Sequence, residues 1–328
     1  MTTTTSAQTY DYGLPSELFV ALSRCVICGG AELSKCGNGR LDLERLESDP
    51  VLSRYVGHRF NLLRCRSCGF RQPSEVPAGP QYFESLYNQQ WSEEWMETDF
   101  ECTYKDEIFR GILRTLESKL PKNRRKLLDV GCHVGRMPYL AGHQGWDAEG
   151  IELNPRTAAF AAKRTGLTIH RKNAKELAAS GLRFDALLLT DVLEHIPEPL
   201  SLLRILCELL APGGVVAIKV PCAGSQILKQ RLRHALDHRQ DPDICTNMIH
   251  VNHFGPKSLR LAMQQAGLTN VHIEIGAPEL PPGGDLRGAL GRVLRTAAYQ
   301  VGRTIPFGVH SPLAFNLQAF GTCPNVHS

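Results

Sequence analysis

The chain has 328 residues, 42% hydrophobic and 21% charged, with a formal net charge of +4. This is the composition of an ordinary globular protein, long enough for one large domain and a smaller one, and the slight positive balance gives no argument for nucleic acid. No apolar run reaches the roughly 18–20 residues of a membrane-spanning helix, and MTTTTSAQTYDYGLPSE lacks the basic and apolar regions of a secretory signal. The expectation is a cytoplasmic protein with a disordered polar tail over residues 1–20.

Eleven cysteines are many for such a protein, and the number is odd. Disulfides are a poor first reading in that compartment; metal ligands and small buried hydrophobes are better ones. Residues 21–80 hold CVICGG and CRSCGF, each a Cys-x-x-Cys-Gly turn. The two-residue gap lets both thiolates of a turn face one tetrahedral ion, and the glycine is expected to leave backbone N–H groups free for the sulfurs. Cys25, Cys28, Cys65 and Cys68 together form a closed zinc site of ribbon type, structural because no coordination position stays open. Cys36 lies outside both turns. A segment of about 60 residues has little core, so the ion would supply stability.

Residues 81–125 are expected to form an aromatic-rich helical linker or lid. Tyr82, Phe83, Tyr87, Trp91 and Trp95 crowd a polar, acidic stretch at three- to four-residue spacing, which suits one helix face packed on the main domain or closing over a ligand. DEIFRGILRTLESKL then reads as an amphipathic helix stopped by Pro121.

Residues 126–276 alternate strands and helices. KLLDV, AEGIEL, LTIH, FDALLLT and GGVVAIKVP read as strands, with RMPYLAGHQG, NPRTAAFAAKRTG and EPLSLLRILCELL as helices between them. PKSLRLAMQQAG and VHIEIGA follow as helix and strand. Such runs predict an α/β protein with a Rossmann-like, doubly wound parallel sheet covered on both faces, its ligands at the carboxyl ends of the strands. Residues 277–328 are expected to be an amphipathic segment, a surface helix or a membrane-surface patch, closed by the strand AFNLQAF.

LLDVGCHVG ends the first of these strands in a glycine turn that opens onto a helix, a place where backbone N–H groups meet a ligand. Gly131 and Gly135 permit close approach. His133 stands where a dinucleotide fingerprint needs its middle glycine, so the turn suits an amino-acid carboxylate better than a pyrophosphate. Glu152 closes the second strand about 20 residues on, the usual distance for an acid gripping a ribose diol. Asp191 closes the FDALLLT strand on the same edge.

With CVICGG, CRSCGF, LLDVGCHVGR, GIELNP, DVLEHIPEP, LAPGG and HVNHFGPKSL in place, the chain resembles class I S-adenosylmethionine-dependent methyltransferases, specifically the bacterial group with an N-terminal Cys-x-x-Cys zinc module. The resemblance implies that the turn Gly131, Cys132, His133 and Gly135 holds the methionine end of S-adenosylmethionine, with Asp129 orienting its ammonium. It implies that Glu152, with Leu153 beside it, takes both ribose hydroxyls, that Asn173 faces adenine, and that Asp191 and Val192 line the sulfonium pocket.

Methyl transfer to an alcohol or acidic carbon needs positioning and a base, most often histidine. His195, His250 and His253 are the candidates, each with the plainer reading of a histidine tying down a loop; Tyr82 and Tyr87 could also reach the acceptor. The resembled zinc-containing sugar C-methyltransferases place a Glu-His pair where this chain has Ile249-His250, with a tyrosine upstream where it has Asn247 and Met248. O-methylation is therefore at least as apt as C-methylation. The expected partner is a small molecule, a sugar, nucleotide-linked sugar or natural-product intermediate. An RNA or protein acceptor recruited by the zinc module, and a nicotinamide-dependent dehydrogenase, are the competing readings. RLRHALDHRQD at 231–241 is expected to be a solvated helix end or a basic loop gripping a phosphate or carboxylate.

Overall fold

The two Cys-x-x-Cys-Gly turns fold alike. In each, the glycine N–H closes back on the first cysteine's carbonyl, Gly29 to Cys25 at 2.8 Å and Gly69 to Cys65 at 3.0 Å. Both glycines hold the left-handed conformation, at φ +69° and +75°, which a residue with Cβ adopts only under strain. The glycine N–H groups close the turns and, as expected, leave neighbouring backbone N–H groups, those of Ile27, Cys28, Gly30 and Phe70, to bond the sulfurs.

The computed structural model describes residues 18–41, 49–88, 90–236, 248–280 and 286–324. Residues 1–17 of the expected tail, residues 237–241 of the basic stretch and Asn247 lie outside the described residues. Around the turns, β1 (Phe19–Ala21) pairs with β5 (Glu75–Pro77), and β2 (Leu33–Arg40), β3 (Arg59–Cys65) and β4 (Arg71–Pro73) form a three-stranded antiparallel sheet. The aromatic segment is two helices, α1 (Gln81–Tyr87) and α2 (Glu93–Glu101), rather than one continuous face. Ser92 caps α2 by accepting from the Trp95 N–H.

After α3 (Asp106–Lys119) come β6 (Lys126–Val130), α4 (Arg136–His143), β7 (Asp147–Ile151), α5 (Pro155–Thr165), β8 (Ile169–His170) and α6 (Ala174–Ala178). They are followed by β9 (Phe184–Thr190), α7 (Pro199–Leu209), β10 (Leu210–Pro221), α8 (Ala223–Leu236), α9 (Pro256–Gln265), β11 (Thr269–Gly276), α10 (Leu286–Thr304) and β12 (Asn316–Thr322). The main sheet has the order β11-β12-β10-β9-β6-β7-β8. The five strands from β10 to β8 pair in parallel, while β12 runs antiparallel to both its neighbours. The sheet is thus mixed at one edge, where the closing strand β12 inserts between β10 and β11.

Both faces are buried. Leu128, Leu187, Leu189, Val216 and Ile218 pack with α7 and α9 on one side. Leu127, Leu188 and Ala217, the neighbours of opposite parity, pack with α3 and α4 on the other. The cysteine turns join the first cluster, where Phe70 meets Phe254 at 5.0 Å between ring centroids. A single antiparallel bridge from Arg71 to His253 and a bond from Lys257 Nζ to the Ser67 carbonyl, at 2.6 Å, fasten them further. α10 packs through Tyr299 while Leu290, Val293 and Leu294 stay exposed. Among the described residues no helix is long and apolar enough to cross a membrane.

Candidate active site

Parallel strands end together, so the turns after β6, β7, β9 and β10 share one edge of the sheet. After β6, Gly131 takes φ +73°, and a Cβ there would sit 2.8 Å from Val192 Cγ2. The Gly131 and Cys132 N–H groups bond the Ile151 carbonyl, and His133, itself at φ +48°, donates its N–H to Glu152 at 3.0 Å. The other oxygen of Glu152 accepts from the Asn154 N–H at 2.8 Å. Two backbone donors therefore hold that carboxylate beside the glycine turn. Cys132 is buried, with its thiol in the space a side chain at Gly150 would need. Leu153 turns outward, 60% exposed.

A cavity of about 110 Å³ lies against this turn, lined by Asp129, Gly131, His133, Thr190, Tyr104 and Lys105. Asp129 is buried and has no ion-pair partner among the described residues. Burial, and then the neighbouring Glu152, pushes its carboxyl up to about 8. His133 Nδ1 lies 3.3 Å from Asp99, and its ring meets Trp95 edge-on, so α2 walls the turn.

A larger cavity of about 550 Å³ adjoins it, and Lys105 lines both. Asp191, Glu194, His250, Ser225 and Glu279 contribute to the larger one. Asp191 holds φ +57° and accepts two bonds from Lys219 Nζ, at 2.7 and 2.9 Å, and one from Lys105 Nζ at 3.1 Å. Burial works to raise the Asp191 carboxyl, but the two ammonium groups outweigh it and hold it below the usual range. Lys219, 1% exposed, also pairs with Glu279.

The loops after β9 and before α9 are stitched together. The Glu194 carbonyl accepts from the Val251 and Asn252 N–H groups, and Asn252 Nδ2 donates to the Leu193 and Ile196 carbonyls. His195 Nδ1 lies 2.7 Å from the Ile249 carbonyl, and the Tyr87 hydroxyl donates to the same oxygen at 3.0 Å. That bond places the proton on Nδ1 and leaves the lone pair on Nε2. His195 is the loop tie of the plainer reading and also stands 4.7 Å, ring to ring, from His250. Burial, and then His195, lowers His250 to about 4. Both Glu194 carboxylate oxygens are buried without a hydrogen-bond partner among the described residues, and burial and then Asp191 push that group up to about 8. Ligand atoms of Glu194, His195 and His250 all lie within 4.8 Å of one another.

Two expected site residues stand elsewhere, and a third is engaged in a helix cap. Tyr82 is fully buried against Tyr55 and Phe83 and has no surface to offer an acceptor. His253 is 1% exposed, engages Gln226 and carries the bridge to Arg71, so it is structural. Asn173 spends its side-chain oxygen capping α6, reciprocated by Glu176. Conversely Lys105, Glu194, Lys219 and Glu279 went unremarked in the sequence. Glu194 and Lys219 carried a signal, an acid inside DVLEHIPEP and a lone lysine inside an aliphatic strand. Lys105 and Glu279 carried none.

The four cysteine sulfurs of the N-terminal turns lie within 4.8 Å of one another, with Cys25–Cys68 at 3.6 Å and Cys28–Cys65 at 3.4 Å. A tetrahedral ion with 2.3 Å bonds to sulfur needs edges of about 3.8 Å, so the donor set fits zinc. A bond from the Cys68 thiol lowers Cys25 to about 5, and the Cys28 and Ile27 N–H groups add to this against burial. Backbone N–H groups of Gly30 and Phe70 point at Cys28 and Cys68.

A model of a family described as a methyltransferase domain matches residues 100–273, more than half of the 328 residues. The chain belongs to this family. Among similar proteins, a ubiquinone biosynthesis O-methyltransferase of Cereibacter sphaeroides is 40% identical over 108 residues, 31% of this chain and 44% of that protein. The enzyme of that name from Psychrobacter arcticus is 31% identical over 132 residues, 38% of this chain and 49% of that protein. The chain thus spans less than half the length of the curated relatives it matches. Among solved structures, the N-methyltransferase NodS of Bradyrhizobium japonicum with S-adenosylhomocysteine has a TM-score of 0.47 at 15% identity, over 74% of this chain and 98% of that one. Phosphoethanolamine N-methyltransferase 2 of Haemonchus contortus scores 0.48 at 15% identity, over 89% of this chain and 68% of that one.

Proposed function

We propose that this methyltransferase-family chain transfers a methyl group from S-adenosylmethionine to a hydroxyl of a small molecule. One observation carries the reading: a glycine turn and a backbone-held carboxylate stand at the strand edge beside a cavity floored by a buried acid, Asp129, that has no counter-ion among the described residues. A cofactor bearing an ammonium and a sulfonium supplies that missing positive charge, and Gly131–Gly135, Glu152 and Val192 are the residues that would hold it. When bound, the cofactor supplies an electrophilic methyl group on a good leaving group. The chain's own residues orient the acceptor and take its proton.

The acceptor cavity is the larger one, and His250 is the base. Its low titration keeps the imidazole neutral near pH 7, with a lone pair free to accept the hydroxyl proton. His195, fixed by Ile249 and Tyr87, positions the His250 ring. Lys105, between the two cavities, places a cation beside the oxygen that loses its proton. The names of the ubiquinone biosynthesis O-methyltransferases support oxygen over carbon as the atom methylated. A sugar, nucleotide-linked sugar or natural-product intermediate is the narrower proposal for the acceptor. Zinc, bound by Cys25, Cys28, Cys65 and Cys68, would have a structural role in the N-terminal turns.

The test is incubation with methyl-labelled S-adenosylmethionine and a panel of sugar nucleotides and dihydroxybenzenoid acids, with products identified by mass. A labelled O-methyl product supports the reading. Absence of cofactor binding by calorimetry would sink it.

A further inference from the structure

A third cavity lies behind α8. The helix shows Ser225, Gln226 and Lys229 to the acceptor cavity. Its opposite face, Gly224, Ile227, Leu228 and Arg231, lines a separate space of about 250 Å³ against the cysteine module. The module supplies Cys36 from β2, Arg64 from β3 and Arg71 from β4. Three guanidinium groups thus converge from three elements, with no carboxylate among the described lining residues. None of the three is ion-paired among the described residues, and Arg71 Nε is buried without a hydrogen-bond partner.

The charges are concentrated on one point. The Cys36 thiol is raised by burial while Arg71, Arg64 and Arg231 each draw it down, so all three cations act on one small group. Arg71 is lowered first by burial and further by Arg64, with the Cys36 thiol opposing. Like charges gathered in a part-buried space cost free energy unless an anion joins them. A guanidinium is the donor that pairs with phosphate oxygens in a planar fork. Three such forks outnumber what one carboxylate can satisfy, and a volume of about 250 Å³ exceeds a single small anion.

We infer that Arg64, Arg71 and Arg231 form a binding site for a diphosphate group, at the junction of the cysteine module with α8. The site lies on the far side of the helix from the acceptor cavity and is independent of the methyl-transfer reading. A ligand there would bridge the module and the Rossmann-like sheet, stiffening the helix that walls the acceptor cavity.

The experiment is calorimetric titration of the whole 328-residue chain, purified without chelator, at low ionic strength with inorganic pyrophosphate, UDP and acetate. Pyrophosphate and UDP are expected to bind in the submillimolar range, and acetate at least tenfold more weakly. Tighter binding of UDP than of pyrophosphate would assign the diphosphate to a nucleotide; equal binding would assign it to the inorganic ion. Arg231→Glu, an exposed position on α8, should weaken both at least tenfold, about 1.4 kcal/mol, and Arg231→Lys should recover part of the loss. Alkylation of Cys36, read by peptide mass spectrometry, should slow several-fold with pyrophosphate in the wild type and not in Arg231→Glu. No binding of either diphosphate, or binding and Cys36 protection unchanged by Arg231→Glu, would overturn the site.

Discussion

The ammonium of Lys219 lies 2.7 and 2.9 Å from the two carboxylate oxygens of Asp191, at the end of a strand whose neighbouring residues are aliphatic. The pair holds Asp191 in its left-handed conformation, because the Asp191 N–H also donates to the Lys219 carbonyl at 3.0 Å. Strain of this kind costs about 1–3 kcal/mol and persists where surroundings over-determine it. Lys219→Met would leave Asp191 with only Lys105 and Glu279 without its closest cation. Breaking a buried pair from one side costs ~3–5 kcal/mol. Urea unfolding should show a loss of that size; a loss under ~1 kcal/mol would refute the pairing as a structural element.

How much of this was legible beforehand follows from the range of the interactions. Strands such as KLLDV and FDALLLT read correctly because burial on both faces writes an uninterrupted apolar run. The glycine turn, Glu152 and the paired cysteine turns are local motifs and were visible for the same reason. What stayed hidden depends on distant contacts. Tyr82 and Tyr87 look equivalent in sequence, yet one is walled in by Tyr55 and the other reaches Ile249. His250 and His253 sit three apart, but the strand bridge to Arg71 takes only His253 into the interior. Asn173 looked like a ligand contact, and its capping bond to Glu176 is a local signal that was there to be read. The arginine cavity needs β3, β4 and α8 together, which no window of sequence displays.

The four cysteines should act as one unit. The purified chain is expected to contain one zinc per molecule, and Cys65→Ser should lose it, because a tetrahedral thiolate site rarely tolerates a hydroxyl. Since these turns share the apolar cluster with Phe70 and Phe254, chelation should lower the thermal midpoint of the whole chain rather than melt the N-terminal part alone. Metal analysis beside calorimetric unfolding checks both. A folded, metal-free protein of unchanged midpoint would contradict the zinc assignment.

His250 and Tyr87 should separate a catalytic from a positioning role. His250→Ala is expected to cut kcat roughly 10²–10⁴-fold, the usual contribution of a general base, with cofactor affinity unchanged. Tyr87→Phe removes one of two donors to the Ile249 carbonyl while His195 keeps its own, so the loss should stay within about tenfold. Single-turnover rates with a labelled methyl donor, beside calorimetric cofactor titrations, distinguish them. Equal losses in the two variants would argue that His250 only supports the loop.

The buried acids and histidines make opposite demands on pH. Asp129 and Glu194 titrate near 8 when folded, against roughly 4 when unfolded. Between those values the folded chain binds more protons, so stability falls as pH rises from about 4 to 8. His250 and His253 titrate near 4 and 3 when folded, against about 6.5 unfolded. Below about 6.5 the unfolded chain binds more protons at these sites, so stability also falls as pH drops from there towards 3. Between about pH 4 and 6.5 the two demands offset, so the ligand-free protein should hold a plateau there and lose stability from about pH 6.5 to 8, by up to ~1.4 kcal/mol per pH unit from each acid. Denaturant midpoints across pH 4–9 test the curve. Binding of S-adenosylmethionine should add a second sign: its positive charge lowers Asp129, so calorimetry at pH 7 in buffers of different ionisation enthalpy should show proton release. No buffer dependence of the binding heat would mean that Asp129 is not the acid the cofactor meets.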